Sequence, residues 1–301
     1  MNLTLLRTFL AVYRAGSMTR AAALLGLSQP SVTAQMRALE QEWGHQLFVR
    51  LPRGIAPTTQ ADTLAESIAA HLDALESVTE RGGVDEDDLA GRTVHLGGPA
   101  EFLAAMALPA LADLVAAGLR LRITPGLPDE LITGTAAGRF DLAISTVRPR
   151  RGGLVVTPFY DEELVLVAAP AVAARVDRSA LRDQDPSSLS TLPMIAYGQE
   201  RPLIRRYWSS AFGVPIRTSP AVVIPDLRGV AAAVEQGAGW SVLPRYLGRA
   251  ALGSGALVEL HRPQLPPINT MYLVVRAGPL PASVRRVRSR LVSRTRGPAG
   301  R

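Results

Sequence analysis

Residues 58–80 place Ala61, Leu64, Ile68, His71, Leu75 and Val78 at steps that alternate between three and four. That spacing lines all six along one stripe of a single long helix. A lone helix has nothing of its own to bury such a stripe against, so a partner surface is required. Two partners are open, the chain's own domain or a second copy, and the strict alternation favours pairing between two copies through Leu64, Ile68, Leu72, Leu75 and Val78. Gly82 and Gly83 end the helix, and Asp85 to Asp88 form an acidic hinge. The helix also divides the chain, because the hydrophobic period before it differs from the period after it.

Before it, residues 1–57 show three short helical patterns and a Pro/Gly-punctuated strand pair. Leu3, Leu6, Leu10 and Tyr13 form the first stripe, which Gly16 stops. Thr19 to Leu25 is a short alanine-rich helix closed by Gly26. Ser28 then sits where an N-cap belongs, and Pro30 falls in the first turn, where its missing N–H costs nothing. The third helix runs to about Trp43 with Val32, Met36, Leu39 and Trp43 on its apolar side. Leu47 to Arg50 and Ile55 to Pro57 read as a compact β-ribbon. The unit has the size of a winged helix.

After it, strand and helix patterns alternate, which predicts a parallel or mixed α/β sheet. Strands are expected at 93–96, 119–124, 141–145, 154–159 and 163–168, then at 194–197, 216–224, 240–243, 257–260 and 271–275. Helices are expected near 100–116, 129–137, 203–211 and 227–235. Two similar lobes are the simplest packing. With 301 residues and 47% hydrophobic content, the chain can build more than one core.

Composition closes several routes to chemistry. There is no cysteine, so disulfides, thiolate nucleophiles and thiolate metal sites are out, and a reducing compartment fits. All 33 basic residues are arginine, which removes the P-loop lysine and every Schiff base. No G-x-S-x-G or H-E-x-x-H occurs, and His45, His71, His95 and His261 lie far apart. No leader-like or membrane-spanning run is visible, so the cytoplasm is the expected compartment. The net charge of +7 equals the seven arginines between Arg285 and Arg301, so the excess reads as a solvated basic tail and not as a nucleic-acid footprint.

The nucleic-acid reading therefore rests on the pair of helices over Thr19 to Trp43. An alanine-rich support helix, a glycine corner and a second helix with a small polar N-terminal face meet the needs of a helix-turn-helix. On that face Gln29 suits a bidentate contact to adenine, Pro30, Ser31 and Thr33 allow close approach, and Arg37, Arg50 and Arg53 suit phosphates.

Several blocks agree in order and spacing with a known family. They are Phe9-Leu10-Ala11-Val12, Gly16-Ser17-Met18-Thr19-Arg20-Ala21-Ala22, Leu27-Ser28-Gln29-Pro30-Ser31-Val32-Thr33, Leu39-Glu40 and Gln46-Leu47-Phe48-Val49-Arg50. In these blocks the chain resembles the LysR-type transcriptional regulators. Ala34 and Ala61 depart from the arginine and glycine the family often has there. The resemblance implies an all-α winged helix-turn-helix (1–57), a linker dimerisation helix with its hinge (58–90), and a two-lobed α/β effector domain like periplasmic binding proteins. Lobe 1 would be 91–163 plus 268–301, and lobe 2 would be 164–267. It implies double-stranded promoter DNA, a small-molecule effector and a homodimer or homotetramer as partners, with no membrane, no cofactor and no catalysis.

In a two-lobed sensor the loops at strand C-termini face the ligand. The candidates are Gly98, Ala100 and Glu101, then Ser145 and Thr146, then Tyr197, Gln199 and Glu200, and finally Asp226 and Trp240. Glu101 with Glu200 suits a cationic or hydroxylated ligand. The rival readings are an exported solute-binding protein and an α/β enzyme with a helical cap.

Overall fold

The structure is a computed structural model that describes residues 2–51, 54–81 and 89–295, without the side chains of 76–81 and 295. Arg53, the hinge at 82–88 and the side chain of Val78 lie outside the described residues. In chain order the elements are α1 (Leu3–Ala15), α2 (Met18–Leu25), α3 (Gln29–Trp43), β1 (Phe48–Arg50), β2 (Ile55–Pro57) and α4 (Thr59–Arg81). Then come β3 (Thr93–Gly98), α5 (Ala100–Phe102), a π turn at Leu103–Ala107, α6 (Leu108–Ala116), β4 (Arg120–Pro125), α7 (Pro128–Ala136), β5 (Leu142–Ser145) and β6 (Leu154–Ala168). The rest comprises α8 (Pro170–Ala173), α9 (Arg178–Arg182), β7 (Ile195–Ala196), α10 (Pro202–Ala211), β8 (Val222–Val223), α11 (Leu227–Glu235), β9 (Trp240–Pro244), α12 (Arg245–Ser254), β10 (Val258–His261), β11 (Ile268–Arg276) and α13 (Ala282–Thr295).

Contacts gather the chain into two compact units: Met1–Pro99, Ala110–Pro158 and Tyr272–Arg301 in the first, Ala100–Pro109 and Phe159–Met271 in the second. The division runs through β6 and β11, the strands that carry Glu163 and Ile268. In the first unit β11 pairs antiparallel with β5, and β3 lies between β5 and β4, parallel to both. The winged helix belongs to this unit, and its core is closed by Phe9, Val12, Val32, Met36, Leu39 and Leu47 with Ala61, Leu64, Ala65 and Ala69 of α4.

In the second unit β9 and β10 flank β6, both antiparallel to it. Side chains of a strand alternate between faces, so β6 serves two cores. Leu164, Leu166 and Ala168 enter one with Trp240 and Val242, while Val165 and Val167 enter the other with Leu243, Val230 and Val234.

Four expectations need correction. The strands predicted at 154–159 and 163–168 are one strand, because the polar run between them is held by β11: Asn269 donates to Glu162 at 3.1 Å and Thr270 to Asp161 at 2.8 Å. The strand predicted at 216–224 shrinks to Val222–Val223, preceded by Pro220, which has no N–H for a ladder. The helix predicted at 100–116 contains a π turn in which Leu108 N–H reaches Leu103 O. The next residue, Pro109, lacks an N–H and crowds the carbonyl four residues back, which the wider turn relieves.

The basic tail is the fourth. To residue 295 it is a helix, α13, whose Val284, Val287 and Leu291 are buried, while Arg290 pairs with Asp113 at 2.6 Å and Arg288 donates to Thr157 at 3.0 Å. Apolar residues at helical spacing among the arginines were the signal for it, and α12 was likewise unforeseen.

Candidate nucleic-acid interface and ligand-facing residues

The turn between α2 and α3 is set by local chemistry. Gly26 takes the left-handed conformation at φ 66° that lets α2 stop, and Leu27 N–H returns to Ala22 O. Ser28 stays extended at ψ 148°, and its hydroxyl accepts from Ser31 N–H at 3.3 Å. Val32, Met36 and Leu39 turn inward, each at most 1% exposed. The opposite side is therefore presented outward: Gln29, Pro30, Ser31, Ala34 and Arg37 are exposed and Thr33 is half-buried. Gln29 donates to Thr33 Oγ1 at 2.7 Å, an i,i+4 pair that holds the amide along the helix.

Trp43, expected on the apolar stripe, is 36% exposed, since the stripe effectively ends at Leu39. Glu40 takes over the tethering. Its carboxylate accepts from Leu47 N–H at 2.8 Å and Phe48 N–H at 3.2 Å, which ties α3 to the β1–β2 wing where Arg50 is exposed. Sequence reasoning assigned Glu40 no role, since it lies inside α3, eight residues before β1.

The α4 stripe splits, and this corrects the predicted seam. Leu64 is 1% exposed and Leu72 4%, both packed inside the chain's own first unit, so neither is available to a second copy. Leu75 is 51% exposed, Ile68 is half-buried and His71 is exposed. The cause is that α4 serves as a fourth wall of the winged-helix core.

One turn further, Asp73 is buried among cations. Arg14 donates to both of its oxygens at 2.8 and 2.9 Å and to Gly138 O at 2.6 Å. Arg276 pairs with Asp73 as well and donates to Thr135 O and Phe140 O. Both guanidiniums stand 3.8 Å from Asp141, whose other oxygen accepts His95 N–H at 2.8 Å. The α7–β5 turn lies against α4 so closely that a Cβ on Gly138, which has φ +75°, would sit 2.2 Å from Ala69 Cβ.

Of the ligand-facing candidates in the first unit, Gly98 closes β3 and its carbonyl accepts Gly126 N–H. Ser145 is fully buried, and its hydroxyl is consumed by its own turn, donating to Val147 O at 2.7 Å. Thr146 beside it is half-buried.

In the second unit Ala100, Glu101 and Tyr197 are half-buried, while Gln199 and Glu200 are exposed, the latter 3.5 Å from Arg205. Burial pushes the Glu101 carboxyl up, Asp226 adds to the rise, and Glu101's own backbone hydrogen bond and Arg228 oppose it. Burial also raises Tyr197, with the charges of Glu101 and Asp226 in the same direction. Asp226 caps α11 and is paired with Arg228 at 2.8 Å, which holds its carboxyl below the usual range. Trp240 must be removed from the candidates. It is 0% exposed, stacks on Trp208 at 5.1 Å and donates to Leu189 O, because it lies on the face of β9 that fills the core.

A group that sequence reasoning missed lies in the same unit. Phe102 packs its ring 5.4 Å from Tyr160 and 5.7 Å from Tyr246, beside Glu162, which is 4% exposed. Burial pushes Glu162 up to about 7 against the opposing hydrogen bond from Asn269. The Tyr246 hydroxyl is enclosed beside the Glu162 carboxylate, which it approaches as a hydrogen-bond partner. These residues come from four separate segments, so no local pattern announces them. Among the described residues no three His, Asp or Glu are arranged to hold a metal ion, and no helix is long and apolar enough to cross a membrane.

Two sequence-family models match the chain. The bacterial regulatory helix-turn-helix protein, lysR family, matches residues 3–62, and the LysR substrate binding domain matches residues 87–296. The HTH-type transcriptional regulator AbaB of Streptomyces antibioticus is 48% identical over 283 residues, 93% of each chain. Among solved structures, ArgP from Mycobacterium tuberculosis superposes with a TM-score of 0.71 at 20% identity, covering 99% of this chain and 98% of that one. Full-length OxyR from Pseudomonas aeruginosa also reaches 0.71 at 20% identity, covering 99% and 96%. At that identity the two structures speak for the fold.

Proposed function

The chain belongs to the LysR family of bacterial transcription regulators, and from that premise we propose that α3 reads promoter DNA while the second unit takes the effector. The observation that carries the reading is the uncovered polar first turn of α3, held by Ser28. In the major groove Gln29 pairs with an adenine edge, Ser31 and Thr33 make shorter contacts, Pro30 allows close approach, and Arg37 and Arg50 hold phosphates. Breaking the Gln29–Thr33 hydrogen bond frees the amide for that contact.

The effector is a small molecule with amine or hydroxyl groups. Glu101, Tyr197 and Asp226 receive it, supported by Gln199, Glu200 and the Phe102–Tyr160–Tyr246 rings, whose faces suit a cation. Ala100 lies beside Glu101, and Gly98 and Thr146 stay among the assigned strand-end positions. Binding shifts a population between arrangements of the regulator. Coupling of about 1–3 kcal/mol changes DNA affinity 5- to 150-fold. Strands β6 and β11 pass through both units, and Arg276 at the end of β11 holds Asp73 of α4, which supports this as the transmitting path.

The protein acts in the cytoplasm by binding and not by catalysis, as a homodimer or homotetramer that uses Ile68 and Leu75 of α4. A gel shift on DNA upstream of its own gene tests the whole reading. Affinity should exceed that for random duplex by about 10³-fold or more at about 150 mM salt. Equal affinity for both would overturn it.

A further inference from the structure

A concave site of 430 Å³ in the first unit is lined by Arg14, Arg20, His95, Arg120 and Arg122 together with apolar side chains and Thr124, and no carboxylate lines it. Its geometry follows from register. Arg120 and Arg122 are two apart on β4, so they share one face of that strand, and His95 is the direct partner of Arg122 on the parallel neighbour β3. Helices α1 and α2 supply the facing wall through Arg14 and Arg20.

The charge there is not neutralised internally. Arg14 is committed to Asp73 behind it, but among the described residues Arg20, Arg120 and Arg122 pair with no carboxylate, and Arg122 has only a 3.3 Å contact to Leu121 O. Burial holds His95 below its ordinary pKa, and Arg14 and Arg122 push the same way while Asp141 opposes. Like charges gathered on a concave surface repel each other until a counter-charge enters.

We propose that this pocket is a second ligand site, a seat for a compact polyanion: a small molecule carrying two or more phosphate or carboxylate groups. Three guanidiniums without acidic partners call for more than one negative charge, and their planar forks match both oxyanion types bidentately. The volume suits a metabolite of that kind. A small anion fits these walls better than a DNA backbone does. The cations face one another across a concave, half-open hollow instead of lying along a flat stripe, and half of them come from β4, outside the winged helix. A bound polyanion would clamp α1 and α2 to the β4 edge and so adjust the winged helix independently of the effector on the second unit.

The test is calorimetric titration of the full-length chain with pyrophosphate and, separately, with citrate at constant ionic strength of about 0.15 M, where free surface charges are screened. Saturable binding of one anion per chain with a midpoint below about 1 mM is expected for at least one probe. The tighter of the two tells phosphate from carboxylate recognition. The double variant Arg120→Ser/Arg122→Ser should weaken it at least about tenfold, and so should Arg20→Ser on the opposite wall, by loss of charge-assisted contacts. All three positions are exposed and their like charges repel, so unliganded melting should not fall.

No saturable binding of either anion, or binding that survives the double variant unchanged, would overturn the proposal. So would a double variant that leaves anion binding intact but flattens the salt slope of duplex binding by about two units, since the arginines would then be DNA-phosphate contacts. Specific promoter binding can fail or succeed without altering the anion titration, so this result is separable from the regulator reading.

Discussion

The first turn of α3, proposed to read DNA, and the Phe102–Glu162 group of the second unit, proposed to support the effector, are built in opposite ways. At the first turn of α3 the polar groups are exposed or half-buried, and their hydrogen bonds stay local, Ser28 with Ser31 and Gln29 with Thr33. Nothing there is desolvated, so the helix folds at no electrostatic cost and its contacts can be exchanged for DNA. Around Phe102 the acid is buried, its amide partner Asn269 lies 107 residues away in sequence, and its protonation is shifted. A surface reader needs availability, whereas a ligand seat needs desolvation, and desolvation has to be arranged by tertiary contacts.

The contrast can be broken most forcefully at the buried ions. Asp73→Ala takes the nearer carboxylate from buried Arg14 and Arg276, leaving only Asp141 at 3.8 Å, and should cost about 3–5 kcal/mol, read as a lower denaturant midpoint. A loss below about 1 kcal/mol would show that the network is effectively solvated.

Next comes pH. Glu162 titrates at about 7 in the folded chain against an ordinary 4.5, so folding favours its protonated form. The stability it contributes is full below about pH 4.5, declines as pH rises, and is lost above about 7, a change on the order of 3 kcal/mol. Glu162→Gln should therefore flatten the dependence of melting temperature on pH between 5 and 8. It should also melt higher than the parent at pH 8. An unchanged slope would place the titration elsewhere.

Smaller effects sharpen the surface side of the comparison. Gln29→Ala should reduce discrimination between promoter and random duplex by about 1–3 kcal/mol, while Arg50→Ala should weaken both duplexes alike and lower the salt slope by about one. Matching losses from the two variants in a competition assay would erase the division between base and phosphate contacts. Ser28→Ala should cost about 1 kcal/mol of stability through the lost cap, with promoter affinity falling only in proportion.

How much could be read in advance follows the same division. The helix-turn-helix was legible because its signals are local: Gly26 for a left-handed stop, Ser28 for a cap, and Val32, Met36 and Leu39 at helical spacing. Its polar face followed by subtraction. Among the residues proposed to face the effector, Glu101, Tyr197 and Asp226 could be named in advance as strand-end residues. Trp240 was not separable from them, because the same strand end can aim a ring outward or into the core, and only its stacking on Trp208 decides. Likewise the α4 period announced a buried stripe without saying what buries it, and Leu64 and Leu72 turn out to be covered by the chain itself.

The sequence alone therefore determined the succession of winged helix, long helix and alternating strands, since caps, turns and periods act over a few residues, and its residue blocks carried the resemblance to the family. Tertiary structure decided which face of α4 is used up, that Glu162 is desolvated beside Asn269, and that Arg120 and Arg122 meet Arg14 and Arg20 around one hollow. Those outcomes depend on groups distant along the chain arriving at one place, where burial and charge act between neighbours in space whatever their separation in sequence.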